Sequence, residues 1–197
     1  MSLTLLDWRR QVAALYASVR AADSPESGWQ LWTSTRGRLL RDHADSPLAN
    51  GATLPGYWSY DSLMRFEVPV LAADPERIEL TTGTDGVVPL ERIGRVELHG
   101  LGSLDVWWLA SYGGGLFVPV RDRTSGRESY GGGRYVLDTV KGADLGGSSD
   151  RLVVDLNFAY NPSCAYDPAW ACPLPQAGNR LDVSVHAGEL APDRQPS

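Results

Sequence analysis

Apolar residues near the start of the chain recur every three or four positions. Leu5, Trp8, Val12, Leu15 and Val19 share one face of a helix. Thr4 followed by Asp7 resembles a capping box with a shortened acid. A second helix starts at Ser24-Pro25-Glu26, where Ser caps, Pro suits the first turn and Glu suits the positive end of the dipole. Trp29, Trp32, Leu39 and Leu40 continue its apolar face, while Gly28 and Gly37 each weaken it by about 1 kcal/mol against Ala. Residues 1–45 therefore form a helical segment.

The spacing then changes. Residues 46–60, SPLANGATLPGYWSY, are a connector, and beyond it the alternation has period two. Strands are predicted near 63–71, 77–82, 87–99, 104–111, 116–121, 133–140, 151–157 and 180–186. Turn signals stand at Asp85-Gly86, Gly113-Gly114-Gly115, Ser125-Gly126 and Gly146-Gly147. The fold expected is mainly β: an antiparallel barrel or sandwich of about eight strands with two N-terminal helices packed on it. Residues 46–190 make the all-β body, and the tail 191–197 is expected to fray. Trp8, Trp29 and Trp32 would supply the helix-to-sheet contact. Trp107 and Trp108 should point to opposite faces of one strand.

Residues 157–175 break the alternation. Four prolines, Cys164, Cys172, Tyr160, Tyr166 and Trp170 forbid a helix and a central strand, so this is an ordered loop of functional character. The cysteines admit three readings: a disulfide closing a small loop, two packed thiols, or a reactive thiol. His43, His99 and His186 are candidate bases for the third, with Glu189 or Asp167 as an acid/base alternative. Two cysteines this far apart with no second pair do not match a zinc site, and the histidines form no metal motif. No metal is expected, and no cofactor is indicated. The Gly-rich runs lack a Gly-Lys-Ser/Thr ending and a following helix, so they read as turns. No Gly-x-Ser-x-Gly elbow occurs.

Aromatics beside arginines recur in two further places: Tyr57, Trp58, Tyr60, Asp61, Arg65 and Phe66, and then Glu128, Tyr130, Arg134 and Tyr135. Such a set suits a small anionic or aromatic ligand, because Arg binds carboxylate or phosphate in bidentate fashion. The plainer reading is that these arginines pair with acidic neighbours. The net charge is −6, with 18 basic and 24 acidic residues, and no basic patch is visible, so nucleic acid is not an expected partner. No apolar run is long enough to span a bilayer, and the start lacks the pattern of a secretory signal. A cytoplasmic location without membrane attachment is expected, and an oligomer is compatible.

Three stretches resemble the family called domain of unknown function 1684. They are Asn157 to Pro175 with Asn179-Arg180-Leu181 and Ala187-Gly188-Glu189, Tyr60-Asp61 with Arg65-Phe66, and Phe117 to Tyr135. The last matches the family's Arg-Asp-x-Thr-Ser-Gly-x-x-Thr-Tyr-Gly motif, with Ser129 where Thr is usual. The resemblance covers residues 57–190 and implies a mainly bacterial family, some of it exported, without established activity, cofactor or substrate. It nominates Arg65, Tyr130, Arg134, Asn157, Tyr160, Asn161, Cys164, Cys172, Asn179 and Glu189. Together with Trp58, Tyr60 and Tyr135, these residues point to a small-molecule-binding β-domain. The alternatives are an enzyme working through a cysteine or carboxylate near 157–175, or an interaction module using Trp107, Trp108 or the Pro-rich loop.

Overall fold

The computed structural model describes residues 2–48, 53–82 and 86–192. Asp85 of the first turn signal, residues 49–52 of the connector and residues 193–197 of the tail lie outside these. Helix α1 spans Leu3–Arg20 and α2 spans Pro25–Asp42. The cap of α1 is Ser2, whose hydroxyl accepts from Leu5 N–H, and not Thr4 with Asp7 as expected. Asp7 Oδ2 instead accepts from Gln11 Nε2 at 2.7 Å and faces His43 Nε2 at 3.3 Å, which turns the carboxylate away from the helix start. Ser24 caps α2 in a reciprocal box with Ser27, and Pro25 opens the helix. Gly28 is there for packing: a Cβ would lie 3.2 Å from the Val19 carbonyl of α1. The antiparallel pair is closed by that approach.

Among the described residues seven strands follow, in two antiparallel sheets. Strands β2 (Arg77–Thr82), β3 (Gly86–Leu98), β4 (Gly102–Leu109), β5 (Leu116–Val120) and β6 (Arg134–Asp138) form a meander in sequence order. Strand β1 (Arg65–Pro69) pairs with β7 (Arg151–Asp155), in register Arg65 to Asp155 through Pro69 to Arg151. One bridge, Leu71 to Arg95, ties β1's continuation to β3. Gly94 permits it, since a Cβ there would sit 2.5 Å from Val70 Cγ1 and 2.6 Å from the Leu71 carbonyl oxygen. The mainly β architecture with two helices is as expected. Among the described residues the sheets do not close into a barrel, because β2 and β6 remain the edges of the larger one.

The predicted strand at 180–186 does not form. It makes one bridge, Arg121 to Arg180, and then its backbone is taken up by side chains and turns. Val185 N–H donates to Asp122 Oδ1, and the Val185 carbonyl accepts from Arg134. Backbone pairing with residues 121–123 reaches Val183 and stops where the Asp122 and Arg134 side chains take Val185. The 157–175 segment is the ordered loop expected, with single turns at Leu156–Phe158 and Ser163–Ala165 and a bridge between Tyr160 and Tyr135.

The core lies where the helices and both sheets meet: Val96, Val106, Val118, Val136 and Val154, with Leu15, Tyr16 and Trp32 from the helices. Trp32 is buried against Tyr57 and Phe158, with ring centroids 5.6 and 5.3 Å away, and its Nε1 donates to Tyr16 OH at 3.2 Å. Trp29 meets Tyr60, and Trp8 meets His43. Trp107 is 1% exposed and Trp108 40%, as strand alternation requires.

Candidate functional site

Strand β7 is an apolar run that ends on a carboxylate. Asp155 is 1% exposed, and its Oδ1 accepts from Asn157 N–H at 3.0 Å and Asn157 Nδ2 at 2.8 Å. These bonds cap the turn Leu156–Phe158. The other oxygen, Oδ2, is buried with no hydrogen-bond partner. Its nearest cation is Arg65 Nε at 3.9 Å, a Coulombic neighbour beyond hydrogen-bond reach. Burial pushes the Asp155 carboxyl up to about 6, against the pull of the Asn157 bonds and Arg65. Arg65 sits opposite Asp155 in the β1–β7 pair, a third exposed, and its guanidinium makes no hydrogen bond among the described residues.

Both residues line a cavity of about 450 Å³ between the helix hairpin and the small sheet. Ser24 and Pro25 bring the positive end of α2 to its wall, and Arg20 comes from the last turn of α1. Arg20 Nη1 donates to the Asp144 carbonyl at 2.5 Å, which holds the side chain there. Tyr60 stands nearby, its phenol pKa raised by burial and by Asp155. Asn157 also fixes the preceding connector: Nδ2 donates to the Asp61 carbonyl at 2.8 Å, and Oδ1 accepts from Asp61 N–H at 2.9 Å. Arg65, Tyr60 and Asn157 thus meet around Asp155.

A second group surrounds Glu189, which is fully buried. Its Oε2 accepts from Asn161 N–H at 2.6 Å and Tyr166 OH at 3.0 Å, and Tyr57 OH reaches Oε1 at 3.4 Å. Arg36 Nε of α2 donates to Oε1, and Nη2 donates to Oε2 at 3.2 Å. Burial opposes the Arg36 charge, but Glu189 outweighs it and raises the guanidinium pKa well above its ordinary value. Arg36 lies over the Tyr160 ring at 4.8 Å. Beside it is a cavity of about 80 Å³ edged by Tyr16, Tyr135, Asp138, Lys141, Tyr160 and Cys172. Tyr135 OH donates to the Pro173 carbonyl at 2.5 Å and so anchors the loop.

Arg134 and Asn179 work as internal struts. Arg134 is fully buried: Nη2 donates to Asp122 Oδ2 at 2.8 Å, and Nη1 donates to the Ala187 and Glu189 carbonyls. Its guanidinium lies 5.2 Å from the Trp58 ring centre. Asn179 accepts from Trp107 Nε1 at 2.8 Å and donates to the Asp105 and Pro119 carbonyls.

Cys164 and Cys172 are free thiols, brought together by the Ser163–Ala165 turn. Cys164 N–H donates to Cys172 Sγ at 3.4 Å. Tyr130 OH donates to the Cys164 carbonyl at 3.3 Å and reaches Cys164 Sγ at 3.6 Å. The Cys172 thiol brings Cys164 down to about 6 against the effect of burial, with Tyr130 assisting, while Cys172 is pushed up. The candidate bases lie elsewhere: His43 against Asp7, His186 3.4 Å from Glu128, and His99 exposed.

The nominated residues therefore divide among separate places. Arg65 lines the cavity of about 450 Å³, and Asn157 and Tyr60 adjoin it through Asp155. Tyr135, Tyr160, Asn161 and Cys172 stand at the smaller one, with Tyr130, Cys164 and Glu189 adjoining. Trp58 and Arg134 stack on each other. Asp155, Arg36 and Arg20 were not singled out from sequence. Arg36 stands four residues from Trp32 and three and four from Leu39 and Leu40, so helical spacing alone puts it on the apolar face, while its partner lies 153 residues on. Asp155 carried a usable signal: an acid closing an apolar run with Asn two residues later, the pattern of a side-chain-capped turn.

The family described as "Protein of unknown function (DUF1684)" matches residues 54–190. A solution NMR structure of an uncharacterized protein of Haloarcula marismortui is similar, with 31% identity and a TM-score of 0.60, over 84% of this chain and 93% of that one. No curated protein matches.

Proposed function

The chain belongs to the DUF1684 family, described as of unknown function, and from its own geometry we propose that it is a binding domain for a small organic anion carrying a hydroxyl or amino group. The observation that carries this is the buried, unpartnered Asp155 Oδ2 beside Arg65 at the wall of the larger cavity. An orphaned buried acceptor is rare in native proteins and asks for a donor. A ligand hydroxyl or amine answers that need. Arg65, with no hydrogen bond among the described residues, and Arg20 provide for a carboxylate or phosphate, and the α2 N-terminus adds favourable field. A volume of about 450 Å³ suits a metabolite-sized ligand. A cytoplasmic location belongs to the same reading.

Native mass spectrometry of freshly purified protein, against its denatured mass, would find a retained ligand. Calorimetric titration with a set of hydroxycarboxylates and sugar phosphates covers a ligand lost in purification. Arg65→Ala is expected to weaken the bound compound by about tenfold or more while the folded state survives. Equal affinity in Arg65→Ala, or no binder in the whole set, overturns the reading.

A further inference from the structure

The loop from Asn157 to Pro175 carries a chemistry that the anion site does not use. We propose that Cys164 and Cys172 form a thiol–disulfide exchange centre whose substrates are low-molecular-weight disulfides and thiols. The proposal stands independently of the larger cavity, since neither cysteine lines it.

Geometry is the first ground. The backbone N–H of Cys164 points at Cys172 Sγ from 3.4 Å, so the Cys172 sulfur lies against the Cys164 residue. The Ser163–Ala165 turn and the Tyr135 bond to the Pro173 carbonyl hold the two ends of the segment in place. Both residues are partly exposed, so a small disulfide can reach them.

Asymmetry is the second. The Cys164 sulfur lies 3.6 Å from the Tyr130 hydroxyl, which it shares with its own carbonyl, and the Cys172 thiol favours its thiolate. Cys172, the donor of the pair, keeps its proton. Exchange needs this division: one sulfur attacks as thiolate and the other resolves.

The steps balance. Cys164 thiolate attacks one sulfur of RS–SR. A Cys164–S–SR bond forms, the RS–SR bond breaks, and RS⁻ leaves with the electron pair. Cys172 then attacks Cys164 Sγ, its proton passing to the departing thiolate. The protein disulfide forms and RSH is released, while the RS⁻ of the first step takes its proton from water. Two electrons and the Cys172 proton move from the protein to the small disulfide, and an excess of thiol runs the sequence backwards.

Oxidised glutathione is the probe, applied to the reduced full chain. Intact mass is expected to fall by two hydrogens, with recovery on adding reduced glutathione. Cys172→Ser should stop halfway and accumulate one glutathione adduct on Cys164. Cys164→Ser should react about tenfold more slowly at pH 7, because the remaining thiol is protonated. Iodoacetamide alkylation of the unmodified chain should rise through a midpoint near the 6 of Cys164. This last measurement needs no variant and covers a substitution that unfolds the loop. Failure of the unmodified chain to lose two hydrogens overturns the proposal. So does an alkylation midpoint at that of an ordinary thiol.

Discussion

Asp155 shows how one side chain can mark a site. Its carboxyl is pushed from the ordinary 3.8 up to about 6, chiefly by burial. A raised acid stabilises the fold while protonated. That contribution is complete below pH 3.8 and is lost as pH climbs through about 6. At neutral pH the ionised group costs up to about 3 kcal/mol on this shift. Asp155→Asn keeps the acceptor facing Asn157 and removes the titration. Urea unfolding should therefore show the variant gaining about 1–3 kcal/mol on the parent between pH 4 and pH 7. A difference that does not change with pH refutes it. Around this residue, sequence was a partial guide. Arg65, Tyr60 and Asn157 stood out because aromatics, arginine and amide cluster at chain breaks. Asp155 hid at the end of an apolar strand. Arg134 and Asn179 stood out equally, yet their bonds go to backbone carbonyls, Asp122 and Trp107. A residue type needed for a buried strut looks the same in sequence as one needed for a ligand.

Elements were legible where the hydrophobic period was clean. Both helices and strands β1 to β7 lie where the alternation placed them. The segment 180–186 alternates too, but Asp122 and Arg134 occupy its backbone, and this competition comes from residues more than fifty positions earlier. The cap of α1 moved for a local reason, since Ser2 is a better-placed acceptor than Thr4. The junction of the two sheets is more demanding than either sheet. Gly94→Ala would drive a methyl into Val70 and the Leu71 carbonyl, atoms of a backbone bridge with little room to shift. A loss of about 1–3 kcal/mol in chemical denaturation is expected, as for overpacked cores. An unchanged midpoint would show that the bridge is loose.

Across the molecule, the Arg36–Glu189 pair joins the helix hairpin to the C-terminal segment, with Tyr57, Asn161 and Tyr166 contributed by the connector and loop. Removing one partner strands a buried charge. Glu189→Gln is expected to cost about 3–5 kcal/mol. The double change Arg36→Met with Glu189→Gln should cost less than Glu189→Gln alone, because no unpaired cation remains. Equal losses in single and double variants would show that Arg36 is not the strained partner. The pair also spans 153 positions, which sets an order of events during synthesis. At about 5–20 residues per second, Arg36 leaves the ribosome on the order of ten seconds before its counter-charge exists. For most of that interval Trp32 lacks Phe158 and Leu40 lacks Ala165 and Tyr166, so the hairpin's apolar face stays wet until the second half of the chain arrives.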